Sequence, residues 1–153
     1  MNRHFATRRT AHVLGFAGLI PFLALSLGCW LVQANLASFA VAAELSYAVA
    51  ILSFLGGIHW GAALLCADLP IDRGRIALLW GITPSLLGVG AVQLPPVFAF
   101  AVLIAAFLMV YLVDKRVYPW YRMPDWLPAL RFKLTCVVAS ALALTLAAIH
   151  FRS

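Results

Sequence analysis

Five stretches of largely apolar residues, Val13–Val32, Leu45–Cys66, Ile76–Val92, Val97–Val113 and Leu134–Phe151, dominate this chain of 153 residues. Each is close to the roughly 20 residues that an α-helix needs to cross the hydrocarbon core of a bilayer. A water-soluble globule of this size could not hide so much apolar surface. Hydrophobic residues make up 65% of the chain and charged residues 10%, whereas soluble domains average about 45–50% and 25% and leave roughly a third of their surface wet at this length. A soluble enzyme domain, a disordered chain and a disulfide-stapled secreted fold are thereby excluded. Lipid offers the backbone no hydrogen-bond partner, so the spans are read as helices. The expected fold is all-α, one integral membrane bundle of five transmembrane helices over residues 1–153.

Charge divides the connections into two sets. Arg3, Arg8 and Arg9 precede the first span, Arg73 and Arg75 lie in the 67–75 loop, and Lys115, Arg116, Arg122, Arg131 and Lys133 lie between the fourth and fifth spans. Residues 33–44 and the Gln93–Pro96 turn carry no Lys or Arg, and the C-terminal tail has only Arg152. This bias predicts a cytoplasmic (or matrix) N-terminus and an outside C-terminus. The net charge of +6 therefore orients the chain in a bilayer, and no nucleic-acid partner is expected. The first apolar run exceeds the 7–15 residues usual in a signal peptide, so it is read as a retained helix.

Segment 114–133 is the longest polar stretch. Tyr118, Trp120, Tyr121 and Trp126 alternate with Arg116, Arg122 and Arg131, and Pro119, Pro124 and Pro128 interrupt it. Aromatic rings with a polar edge favour the headgroup layer, and cations there meet anionic lipid. Trp120, Trp126, Arg122 and Arg131 are thus expected at the interface, as an anchor or as a docking face for a lipid headgroup or partner protein.

Counting about 1.5 Å per residue places His59 roughly 10–12 Å inside the inner boundary. The same count brings Pro21, Thr83-Pro84-Ser85 and Ser140 to that depth. Each proline frees the carbonyl four residues earlier, here Ala17 and Trp80, and His59, Thr83 and Ser85 can donate to such groups. The candidate pocket is therefore His59, Trp60, Gly56, Thr83, Pro84, Ser85 and Pro21. An ionisable side chain at membrane depth is a functional-site candidate by default; the bland alternative is a neutral histidine bonded to a backbone carbonyl. Ser53, Gly57 and Gly61 lie four apart, the stripe of small residues that lets another helix approach.

No catalytic residue, metal or cofactor is expected. His12 and His150 lie too far from His59 in depth to share a haem with it, and Cys29, Cys66 and Cys136 show no paired spacing. Glu44 is expected at the outer boundary, and Asp68, Asp72 and Asp114 at the inner one as surface charge balance. Gly18–Leu23 and Gly81–Leu86 share Gly, Pro and Leu at equal spacing, either a parallel repeat of helix pairs or chance.

Several of these segments together resemble a known family. Leu14–Phe22, Ile51–Gly61 with its Gly-Gly-Ile-His-Trp-Gly stretch, Trp80 with Pro84-Ser85-Leu86, and Leu130-Arg131 with Leu134-Thr135 are similar in order and spacing to the membrane family called domain of unknown function 3429. Asp125-Trp126-Leu127 departs from the Trp-Tyr pair associated with that family before its Leu-Arg. The resemblance implies a small multi-span protein of a bacterial cytoplasmic (inner) membrane or a mitochondrial inner membrane, and supplies no activity. The expected function is that of a non-enzymatic accessory, assembly or lipid-interacting factor, with the bilayer, a membrane-protein partner or a second copy as its partners. One alternative is an enzyme or carrier of a lipid-soluble molecule, such as a quinone or isoprenoid, around His59. A proton or small-ion channel is the other.

Overall fold

The computed structural model describes residues 3–152. The side chains of residues 3–7, Arg3 among them, lie outside the described residues. Among the described residues six α-helices form, α1 (Arg3–Ala17), α2 (Ile20–Leu31), α3 (Ala34–Leu65), α4 (Ile71–Ala91), α5 (Pro96–Val117) and α6 (Trp126–Arg152), with a 3₁₀ turn at Tyr118–Tyr121. They make five segments long and apolar enough to cross a bilayer, and no strand occurs among the described residues.

The first span is two helices because of Pro21. Its ring nitrogen has no hydrogen to donate, so the ladder breaks at Gly18–Leu19 and restarts with proline in the first turn, where the missing donor is not needed. The expected donors to this break were His59, Thr83 or Ser85. Tyr47 of α3 takes the part instead, its hydroxyl donating to the Gly18 carbonyl at 2.9 Å.

Several boundaries differ from the sequence expectation; α4, for one, starts at Ile71 rather than 76 and so takes in Arg73 and Arg75, which were expected in a loop. Helix α3 starts at Ala34 rather than 45, because the uncharged stretch before Glu44 is rich in alanine, the strongest helix former. Helix α5 runs to Val117, past the predicted end at 113, with Lys115 and Arg116 favourably placed in its last turn. Helix α6 begins at Trp126 instead of 134, its Pro128 tolerated in the first turn. The predicted interfacial segment therefore shrinks to the 3₁₀ turn and residues 122–125.

Helix α3 packs on α2, α4 and α5, and α6 packs on α5, α2 and α1. The first and last spans run parallel, since His12 meets Trp126 and the Trp30 indole donates to the Leu144 carbonyl. Phe22, Leu52, Phe100, Leu103, Phe107 and Leu142 fill the centre, with Phe22 edge-on to Tyr47 and Phe107. Many large apolar side chains, Leu31, Phe39, Leu65 and Leu79 among them, face outward. An apolar exterior of this extent suits lipid rather than water.

Helices α3 and α4 approach closely at Gly56 and Gly81. A methyl group on Gly56 would overlap the Gly81 carbonyl oxygen, and one on Gly81 would meet the Trp60 ring at 2.5 Å. This corrects the expected packing stripe. Gly57 and Gly61 face open space, and Ser53 donates within its own helix to the Val49 carbonyl. Among the described residues, no helix uses Gly57 or Gly61 for a close approach.

Candidate functional site

On α5 the apolar stripe of Phe100, Leu103, Phe107 and Val110 continues at the same three-and-four spacing into Asp114, Tyr118 and Tyr121. The same face that packs the core therefore carries a carboxylate and two phenols inward. Asp114 lies seven residues before the end of the 3₁₀ turn, and His59 seven before the Cys66 cap of α3. The parallel helices bring the two to one level.

Asp114 is the hub of the resulting cluster. His59 Nε2–H donates to Asp114 Oδ1 at 2.8 Å. Arg131 of α6 donates from Nη2 at 2.7 Å and from Nε at 3.1 Å to Oδ2, and the Tyr118 hydroxyl donates to the same oxygen at 3.1 Å. With the proton on Nε2, His59 Nδ1 accepts from the Tyr121 hydroxyl at 3.1 Å. Both histidine nitrogens and both carboxylate oxygens are thus engaged, and His59 and Asp114 are 0% and 1% exposed. Removing one partner from a buried ion pair strands the other charge and costs about 3–5 kcal/mol. The cluster thereby ties α3, α5, the 3₁₀ turn and α6 together at one end of the bundle.

The expected pocket does not assemble. Trp60 faces α4 and donates to the Leu78 carbonyl at 3.0 Å, and Gly56 and Pro84 meet on that same side. Thr83 donates to the Leu79 carbonyl of its own helix; Ser85 is half-buried. Pro21 lies at the level of Tyr47, since Phe22 stacks on that ring, and Tyr47 is about 18 Å from His59 along α3 by the helical rise. The count failed for Pro21 because the kinked first span enters the bundle further along than its apolar start implies.

Two charged residues also change place. Arg131, expected at the headgroup layer, is buried on Asp114. Asp114, expected as surface charge balance, is the acceptor of the cluster. After the 3₁₀ turn, Arg122 adopts a left-handed backbone (φ 52°) and pairs with Asp68 at 3.3 Å, both exposed. The Arg73 guanidinium lies 5.2 Å from the Trp120 ring centre, and Trp126 is half-buried against His12.

A second buried carboxyl sits at the opposite end. Glu44, ten residues into α3, accepts from the Thr145 hydroxyl at 2.6 Å, and its other oxygen has no partner among the described residues. Arg152 caps this end, donating to the carbonyls of Cys29 and Val32. Among the described residues no group of three His, Cys, Asp or Glu side chains could hold a metal ion. A cavity of about 130 Å³ lies beside Arg131 and Thr135 and does not include His59.

Comparison with known proteins identifies the family. Residues 7–147 fit the family described as Protein of unknown function (DUF3429). The chain is 33% identical over 141 residues to Transmembrane protein 69 of Xenopus tropicalis, an alignment covering 88% of this chain and 52% of that protein. The chain thus spans about half the length of the curated relative it matches. No solved structure matches. On a family match across nearly its whole length, this multi-pass membrane protein belongs to the domain of unknown function 3429 family.

Proposed function

We infer that the protein is a non-enzymatic, lipid-interacting accessory factor of a cytoplasmic or mitochondrial inner membrane, its basic end facing the cytoplasm or matrix. The observation that carries this reading is the closure of the polar cluster. Both nitrogens of His59 and both oxygens of Asp114 are engaged within the cluster, and the two side chains are shut off from solvent. What the chain offers outward at the same end is a rim of exposed cations and half-buried indoles, with Arg73 over Trp120 and Arg116 and Arg122 nearby. Cations at the headgroup layer attract anionic lipid at about 1 kcal/mol each, and indoles fix the depth. A carrier centred on His59 finds less support, because Thr83 is satisfied within its own helix and both imidazole nitrogens are engaged.

Native mass spectrometry of the full chain extracted from vesicles of mixed phosphatidylglycerol and phosphatidylcholine tests this. The protein is expected to retain phosphatidylglycerol preferentially, and the triple variant Arg73→Gln, Arg116→Gln, Arg122→Gln to lose that preference without unfolding. Equal retention of the two lipids by the parent protein overturns the reading.

A further inference from the structure

One cavity of the bundle lies beside the cluster. Its walls are apolar, with Gly15, Leu19 and Phe22 on the first span and Phe107 on α5, yet Arg131 and Thr135 of α6 also line it. The Thr135 hydroxyl is buried and has no hydrogen-bond partner among the described residues. Other hydroxyls on the long helices are satisfied by the carbonyl four residues back, as in Ser46, Ser53 and Thr83. Thr135 forgoes that bond and keeps a donor for the cavity. A buried hydroxyl without a partner is costly, so a ligand oxygen there would be rewarded.

Three further features define what would fit. The volume of about 130 Å³ compares with the roughly 150 Å³ of an engineered apolar cavity that accepts benzene, which is the space of one ring. Phe22 and Phe107 supply aromatic faces and edges for such a ring. The charge of Arg131 is already balanced by Asp114, so its remaining N–H groups suit a neutral carbonyl better than an anionic headgroup. Leu14 and Phe54 also line the cavity and are 66% and 65% exposed to the surroundings of the bundle. A ligand would therefore enter from the hydrocarbon of the bilayer.

We propose that this cavity binds the ring of a lipid-soluble carbonyl compound of the quinone class, with a ring oxygen accepting from Thr135 and Arg131. The break at Gly18–Leu19 makes the room, because two of the wall residues are glycines, Gly15 near the end of α1 and Gly18 in the break itself. The site is separate from the cationic rim, and neither proposal needs the other.

Equilibrium binding of radiolabelled tetramethyl-1,4-benzoquinone to the full chain in nanodiscs, corrected for empty nanodiscs, tests it. This fully substituted quinone cannot alkylate the exposed Cys136. Tetramethylbenzene, of the same shape but without carbonyls, is expected to compete at least about fivefold more weakly. Thr135→Val is expected to weaken quinone binding about three- to tenfold, the worth of one hydrogen bond, while Thr135→Ser binds as the parent does. Val138→Phe, which fills the cavity, is expected to abolish binding. Equal competition by the hydrocarbon, parental binding by both Thr135→Val and Val138→Phe, or no saturable binding at all overturns the proposal. Should Thr135→Val fail to fold, the hydrocarbon comparison and Thr135→Ala decide. Thr135→Val is expected to retain phosphatidylglycerol as the parent does, so failure of this proposal and failure of the lipid-rim reading are told apart.

Discussion

Asp114 shows how a single carboxylate becomes tolerable in a membrane protein. Its two oxygens take four donors from three elements, and the adjacent guanidinium cancels its charge. Asp114→Leu is expected to leave Arg131 buried and unpaired, lowering thermal stability in detergent by about 3–5 kcal/mol. Arg131→Met does the mirror-image damage. The double variant should recover part of the loss, since it removes both charges, but not all of it, because His59 Nε2 and the Tyr118 hydroxyl lose their acceptor. Additive losses in this cycle, measured by thermal unfolding, would mean that the two side chains act independently.

At the scale of elements, small residues divide into two kinds that sequence spacing does not distinguish. Gly56 and Gly81 let α3 and α4 touch, whereas Gly57 and Gly61 face outward. Gly56→Ala is expected to push α3 and α4 apart and destabilise the bundle by about 1–3 kcal/mol, the usual range for overpacking. Gly57→Ala and Gly61→Ala should be neutral or stabilising by up to about 1 kcal/mol each, from helix propensity alone. Unfolding midpoints of the three variants in one detergent check this contrast. In the echo between Gly18–Leu23 and Gly81–Leu86, both glycines abut α3, through the Tyr47 hydroxyl in one case and Gly56 in the other, but Pro21 starts a helix after a break whereas Pro84 lies inside one.

For the whole molecule, the parallel run of the first and last spans puts Arg152 beside Val32, at the end away from the Asp68–Arg122 pair. With the native cysteines replaced, cysteines introduced at Asp68 and Gln93 should react with a membrane-impermeant maleimide from opposite sides of sealed vesicles. The positive-inside bias further expects Asp68→Cys on the cytoplasmic or matrix side. Labelling of both from one side would break the five-span topology. The same end-to-end order separates the two buried carboxyls, Asp114 beneath the basic rim and Glu44 near the other boundary.

The all-helical class and the five apolar segments long enough to cross a bilayer were legible in the sequence, because the cost of exposing backbone to lipid forces apolar runs of that length into helices. His59 stood out as a buried ionisable group for the same reason. Its partners did not. Hydropathy ended the fourth span at residue 113 and put Asp114 and Arg131 in the interface, since the scale weighs each charge as though it were alone. Only packing decided otherwise, by bringing α3, α5 and α6 close enough for opposite charges and phenols to offset one another's desolvation. The helical spacing of Asp114, Tyr118 and Tyr121 behind Phe107 and Val110 was the available signal. Depth along a kinked first span, and which glycines meet a neighbour, belong to the tertiary structure, because both depend on how helices lean on each other rather than on any one helix's own residues.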